Sequence, residues 1–427
     1  MRKYFKSSLF VLMAIALVSM CAIGCGSKEE KATPTPTATA ILTPTPTATA
    51  ATETYKIGAI VALTGTYANL GIPEGNTIDM FVDQINANGG INGHPLEVIV
   101  YDDGGVASTA ATLANRLLEQ DNVLAIIGPT TTGSSIGVAD FAEVNEIPLI
   151  SMCGAISIVT PVENRSWSFK TPPSEYQVLD MLFPYIVSQN ISKIALIHST
   201  SGWGMAGKAA CTAEAAKFNL SIVDTQSYAP EDVTMQSQLT HIQGTDAQAV
   251  MCWDTEKGSA LVAMDMKTLG IDLPFFCSHG IANKGYMDQA GDAADGTVIA
   301  AGKILIANEV EEDDPQKDVL TQYKADYEAI YGEGTANTFG GHALDALNIL
   351  VPVLENLDEN LDLTQSDDLA LARADIRDGI EQTTNYAGTG GIYTMSPTDH
   401  LGIQTNTSYG FIVLIKVLDG QWTWLKE

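Results

Sequence analysis

Four short stretches of the chain place reactive or ligand-gripping residues at informative spacings. Gly133-Ser134-Ser135-Ile136-Gly137 has the G-x-S-x-G spacing that exposes a nucleophilic serine at a sharp strand-to-helix turn. The preceding strand is expected to end at Ile127, however, and Gly128-Pro129-Thr130-Thr131-Thr132 intervenes, which is too long for such an elbow. Hydroxyls and free N–H groups at this helix N-terminus suit an anion better, because the helix dipole and its unpaired donors favour one. Cys277-Ser278-His279-Gly280 sets a thiol and an imidazole two residues apart on an ending strand. With no third orienting group, a hydrogen-bonding His279 in a cleft fits better than a thiol nucleophile. Ser201-Gly202-Trp203-Gly204 and Trp253-Asp254-Thr255 each set an indole where a strand hands over to a helix. Such an indole is either core or pocket wall; the flanking residues favour the wall for Trp203 and leave Trp253 open. Met152-Cys153-Gly154-Ala155-Ile156 supplies small residues that let a ligand approach the backbone.

Metal and cofactor chemistry find little support. His94, His198, His241, His342 and His400 are scattered, with no H-x-x-x-H spacing, and Cys153, Cys211, Cys252 and Cys277 form no C-x-x-C. The pairing of Cys252 and Cys277, on expected neighbouring strands, stays open. Glu309-Val310-Glu311-Glu312-Asp313-Asp314 lacks the glycine and spacing of a calcium loop and reads as a solvated turn. No metal and no cofactor is expected. With 51 acidic against 22 basic residues in 427, the net charge of -29 excludes a nucleic-acid partner, which needs basic surface to displace counterions.

Positioning these loops requires a scaffold, and the pattern from Tyr55 onward supplies one. Strands are expected at Ile57 to Ala62, Leu96 to Tyr101, Val123 to Ile127 and Pro148 to Ser151, alternating with helices at Asn76 to Asn88, Ala107 to Gln120 and Ser134 to Glu143. A second series runs from helix Glu175 to Ser188 through strands at Lys193 to His198, Leu220 to Val223, Ala249 to Trp253 and Pro274 to Cys277. Alternation with β-branched buried strands means parallel sheets covered on both faces. The fold class is therefore α/β: two doubly wound Rossmann-like lobes, with ligands expected beyond the carboxyl ends of the strands.

Upstream, Arg2, Lys3 and Lys6 precede an apolar run from Leu9 to Ile23, the pattern of an export signal. It ends Ala22-Ile23-Gly24-Cys25-Gly26-Ser27, which resembles the lipobox of bacterial lipoproteins, with Ala22 in place of the usual leucine. That assigns residues 1–24 to a signal peptide and Cys25 to lipidation. Thr33-Pro-Thr-Pro-Thr-Ala-Thr-Ala40 then recurs from Thr43 to Ala50, so residues 25–54 read as a polyproline-like stalk.

Several motifs in fixed order resemble one family. Ile57-Gly-Ala-Ile-Val-Ala-Leu-Thr-Gly65, Ile85-Asn-Ala-Asn-Gly-Gly-Ile-Asn-Gly93, Val100-Tyr-Asp-Asp103, Ile126-Ile-Gly-Pro129 and Ile147-Pro-Leu-Ile-Ser151 are similar to the leucine/isoleucine/valine-binding proteins. These are type I solute-binding components of bacterial ABC importers. Phe339-Gly-Gly-His-Ala-Leu-Asp345 and Gly388-Thr-Gly-Gly-Ile-Tyr393 extend the similarity toward the C-terminus. The resemblance implies no enzymatic activity, an ABC permease as membrane partner, and a monomer on the outer side of the cytoplasmic membrane, anchored by lipid. It also implies a three-stranded hinge, with lobe 1 over 55–171 and 305–390 and lobe 2 over 172–304 and 391–427.

The family's ligand contacts carry over to Leu70 before Gly71, to Thr132, to Cys153, Gly154 and Ala155, and to Trp203. The threonine hydroxyl that the family uses in the loop at Cys153, Gly154 and Ala155 is missing. Where amino-acid binders place a glutamate to pair with the ligand ammonium, this chain has His279. An ammonium buried without an anionic partner costs several kcal/mol. The expected ligand is accordingly a small carboxylate without an α-ammonium, an aromatic or short branched acid, walled by Trp203 and Trp253. Competing readings are an amino-acid binder in which Asp254 or Glu256 replaces the glutamate, a ligand-sensing receptor on the same scaffold, and a serine hydrolase using Ser135.

Overall fold

The structure is a computed structural model that describes residues 53–403 and 410–426. The leader, Cys25 and nearly all of the stalk lie outside the described residues. The first lobe runs β1 Tyr55–Val61, α1 Ala68–Ala87, β2 Leu96–Asp102, α2 Ala107–Glu119, β3 Ile126–Ile127, α3 Thr132–Asn145, β4 Leu149–Ser151 and β5 Ser168–Lys170. Its strands form a wholly parallel sheet in the order β2-β1-β3-β4-β5. In β1 every residue but Lys56 is buried, as a strand between two helical layers requires.

After a crossing at Thr171 and Pro172 the pattern repeats: α4 Glu175–Ser188, β6 Lys193–Ser199, α5 Gly202–Glu214, β7 Ser221–Tyr228, α6 Gln236–Gln243, β8 Ala249–Trp253, α7 Glu256–Leu269, β9 Phe275–Cys277, α8 Lys284–Ala290 and β10 Val298–Gly302. Ser174 opens α4 with a capping box, its hydroxyl accepting from Gln177 N while Gln177 reaches back to Ser174 N. The order β7-β6-β8-β9-β10 repeats that of the first lobe.

The chain then returns to the first lobe. α9 Lys317–Tyr331, α10 Thr338–Glu355 and α11 Ser366–Ile380 precede the short hairpin β11 Tyr386–Ala387 and β12 Ile392–Tyr393. Finally β13 Ile412–Leu418 pairs antiparallel with β10, and β14 Gln421–Trp424 closes the second sheet.

Three expectations need correction, and one open question is answered. Helix α1 starts at Ala68 and not at Asn76, because the glycines that suggest a loop are helical: a side chain on Gly71 would fall inside the backbone of Ala62 at the end of β1. Residues after Gly390 do not pass at once to the second lobe. His400 stacks on Phe169 at 4.1 Å, and Lys170 N bonds to its carbonyl, so the chain is still packed on the first lobe at His400. The acidic stretch is not wholly solvated, since Asp314 is buried and paired at 2.5 Å with buried Lys303. Cys252 and Cys277 sit side by side on β8 and β9, and both thiols are free.

Candidate functional site

Each sheet changes direction beside its first strand, between β1 and β3 in one lobe and between β6 and β8 in the other. Crevices at such switch points, outside the carboxyl ends of the strands, are where doubly wound sheets bind ligands. Here the two switch points face one another across a cavity of about 210 Å³. The first lobe contributes Tyr67 and Leu70, the loop Thr130 to Gly133, and Met152 to Gly154; the second contributes Ser201 to Trp203, Thr255, His279 and Gly280. Pro172 from the crossing and Phe339 and His342 from α10 complete the lining.

Two helices begin at this cavity. Thr131 caps α3, its hydroxyl accepting from Ser134 N at 3.2 Å, and Ser201 caps α5 by accepting from Gly204 N at 3.1 Å. The first helical residues, Thr132 and Gly202, both line the cavity, so two positive dipole ends converge on it. Behind the first, Thr130 Oγ1 accepts from Ala62 N at 3.0 Å and bonds to the wholly buried Glu74. Burial holds the Glu74 carboxyl well above the usual range, and its other oxygen has no partner.

The lobes are closed. A methyl group on Gly202 would lie 2.9 Å from Gly133 N, and one on Gly154 would lie 2.7 Å from the Trp203 ring. Tyr67 hydrogen-bonds Ser201 across the cleft, and burial together with the charge of Asp254 pushes its hydroxyl up to about 12. Trp203 donates to Ser278 Oγ at 3.2 Å, which in turn donates to Asp254 O at 2.6 Å, and the indole lies edge-on to His279.

No acidic side chain lines the cavity among the described residues. His279 is pushed down to about 3 by burial, with the Lys170 charge adding to the effect. His342 is lowered well below its usual value by burial, by His279 and by Lys170. Both imidazoles are therefore neutral at neutral pH, and Nδ1 of each is buried without a hydrogen-bond partner. Neutral rings and helix N-termini can donate to a carboxylate, and among the described residues no carboxylate lines the cavity to pair with a ligand ammonium.

Leu70, Thr132, Cys153, Gly154, Trp203 and His279 meet at this one cavity. Ala155, Trp253 and Asp254 do not line it. Ala155 is fully buried at the start of a short 3-10 turn. Trp253 lies behind Trp203, 5.2 Å between ring centroids, where it fills the space left by Gly207 of α5. Asp254 points away toward Gly258 and accepts from Tyr228 OH at 2.8 Å. Ser135 lies inside α3, not at an elbow. Its hydroxyl donates to Pro129 O at 3.1 Å and accepts from Ser151 at 3.0 Å, so it has no base and no access. The Cys277 thiol, raised by burial, is likewise remote from the lining.

Sequence reasoning passed over Tyr67, Phe339 and His342. The signal for the last two was present in Gly340-Gly341: a side chain on Gly340 would meet Tyr323 and one on Gly341 would meet Thr389, so α10 enters the hinge region only because both are glycine.

A family model described as periplasmic binding protein matches residues 54–410, and the chain belongs to that family. The family is one of extracytoplasmic solute-binding and receptor proteins, not of enzymes. The chain is similar to the leucine-, isoleucine-, valine-, threonine-, and alanine-binding protein of Pseudomonas aeruginosa, 24% identical over 280 residues that cover 64% of this chain and 72% of that one. It is 27% identical to Leu/Ile/Val-binding protein homolog 8 of Brucella abortus over 308 residues, 68% of this chain and 72% of the relative. Among solved structures, an extracellular ligand-binding receptor from Rhodopseudomonas palustris superposes with a TM-score of 0.79 at 24% identity, covering 88% of this chain and all of the other. The Streptococcus pneumoniae branched-chain amino acid transporter substrate binding protein, in complex with isoleucine, superposes at 0.73 with 20% identity, covering 87% and 98%. These likenesses show the type I periplasmic binding protein fold.

Proposed function

We propose that this protein is the solute-binding component of an ABC importer and captures a small carboxylate, an aromatic or short branched acid, between its lobes. The observation that carries the reading is the charge of the site: two helix N-termini and two neutral imidazoles face the cavity, and among the described residues no acidic side chain does. A carboxylate would take the N–H groups and hydroxyl around Thr132 and the loop at Gly154, each charge-assisted bond contributing about 1.5–3 kcal/mol. Trp203 would cover the apolar body, and His279 would meet a polar group at the far end. Closure excludes water, and ligand binding biases the closed form that a permease would recognise.

The relatives named for leucine, isoleucine and valine favour a second reading, an amino acid in the same place. Against it stands the geometry of Asp254, whose carboxyl is buried at Tyr228 and Gly258 and not presented to the cavity. Mass spectrometry of ligand carried through purification, followed by calorimetry with benzoate, 3-methylbutanoate and leucine, tests both. Sub-micromolar leucine binding with neither acid bound would refute the carboxylate reading. Export and lipidation at Cys25 form part of the same proposal; intact mass of the mature protein should show a diacylglyceryl cysteine as its first residue, and a Cys25→Ala form should lose membrane association.

A further inference from the structure

Among the described residues, two lysines are wholly buried, and they are treated differently by their surroundings. Lys303 has a carboxylate, Asp314, at 2.5 Å. Lys170, the last residue of β5, has only carbonyl oxygens: its Nζ donates to Gly154 O at 2.8 Å and to Pro172 O at 2.8 Å. Both carbonyls belong to residues that line the cavity, one in the first lobe's loop and one in the crossing between lobes. Buried charges in proteins are paired, and Lys170, whose direct bonds all go to carbonyl dipoles, makes no contact ion pair although the charge of buried Glu175 reaches it.

We infer that Lys170, though outside the cavity lining, is the residue that makes this site select anions, its missing counter-charge being the ligand carboxylate. The inference rests on the carboxylate reading above and deepens it. Lys170 acts through the Gly154 loop: holding the Gly154 carbonyl from behind keeps that oxygen turned away from the ligand's negative end. The groups facing its ammonium are Cys153 from the loop after β4, Glu175 from α4, His279 from the loop after β9 and His342 from α10. Of these, Glu175 uses Oε2 to accept from Ile156 N at 2.9 Å, and the two imidazoles are neutral. None forms an ion pair with it. Burial lowers Lys170 to about 8, so the charge is present at neutral pH and an entering anion stabilises it.

The test compares benzoate with its uncharged isostere benzamide, by calorimetry, on the full-length wild type and on Lys170→Met. A unit charge felt across roughly 7 Å at an effective dielectric near 20 corresponds to about 50-fold in affinity. Lys170→Met should therefore weaken benzoate by about that factor and leave benzamide within about threefold. An unchanged benzoate-to-benzamide preference in the variant overturns the inference alone. If the wild type binds neither benzoate nor 3-methylbutanoate, both the inference and the carboxylate reading fall. Should Lys170→Met not fold, the wild type still decides. Its benzoate affinity should be flat below the Lys170 titration and fall up to tenfold per pH unit above it, while benzamide stays level. A parallel profile for the two probes overturns it.

Discussion

Replacing Gly202 by alanine isolates closure from folding. Gly202 is the first residue of α5, with no positive φ to protect, and all three of the nearest atoms a methyl group would meet belong to the opposite lobe: Gly133 N at 2.9 Å, Gly133 Cα at 3.1 Å and Thr132 C at 3.3 Å. Because these are backbone atoms at the start of α3, they cannot step aside as a side chain would. The overlap of about half an ångström must be relieved by opening the hinge, and overpacking of this kind costs typically 1–3 kcal/mol. That penalty falls on the closed form alone, so the dissociation constant should rise about 5- to 150-fold. With the lobes apart those three contacts are gone, and alanine is the better helix former by about 0.5–1 kcal/mol. The ligand-free melting temperature should hold or rise. Calorimetry with the co-purifying ligand measures the first quantity, differential scanning the second, and the ligand-induced change in radius of gyration by small-angle scattering reports closure directly. Wild-type affinity and wild-type compaction in Gly202→Ala would refute the reasoning, because they would mean that the two helix N-termini do not meet when ligand binds.

Within the second lobe, Gly207→Ala should do the opposite: its methyl group would fall inside the Trp253 indole, so ligand-free stability should drop by about 1–3 kcal/mol in a urea titration. Burial raises Glu74 above its ordinary range, so the folded state holds that proton more tightly than the unfolded chain and stability falls as pH rises past the usual glutamate value. Glu74→Gln should match wild type near pH 4.5 and melt higher than wild type at pH 8. For His279 the sign is reversed: its folded value of about 3 lies below the ordinary 6.5, so its contribution is complete above 6.5 and is lost toward pH 3, at up to about 1.4 kcal/mol per pH unit. Urea midpoints taken from pH 7 to pH 4 should therefore decline less steeply in His279→Gln, and equal slopes would contradict the assignment.

What the sequence disclosed, and what it withheld, follows from the range of the forces involved. Local periodicity and β-branched runs marked β1, β6 and β8, whose residues are buried almost without exception. Thr132, Gly154, Trp203 and His279 were legible because each sits where a strand gives way to a helix or loop, and such junctions point to one end of a parallel sheet whatever the packing. Side-chain direction was not legible. Trp203 lies in the first turn of α5 and Trp253 ends β8, and one walls the cavity while the other backs it, in the space left by Gly207 of α5. Asp254 turned inward for a similar reason, since Tyr228 and Gly258 offer it a hydrogen bond and a space that no local pattern announces. Nor did the sequence announce Lys170: a lysine ending a three-residue strand looks like a surface charge until Gly154 and Pro172 are seen to enclose it.

The hinge and the cavity share one helix, and this explains how ligand contact can reach the lobe motion. On α10, Phe339 and His342 face the cavity; one turn further on, Asp345 accepts from Thr389 N and Gly390 N, each at 2.7 Å. Tyr393 OH sits between Asp345 Oδ2 at 2.9 Å and Thr171 O at 2.7 Å, while Thr171 Oγ1 donates to His342 O at 3.0 Å. A single buried carboxylate, raised to about 6 by burial and pulled back by these donors, thus ties the segment around Thr389 to the first crossing at Thr171. Segments pinned in this way can rotate about their pins but cannot slide, which favours rigid-body closure over shear. Gly133 and Gly202 meet across the cleft, where two helix N-termini converge on the same enclosed volume.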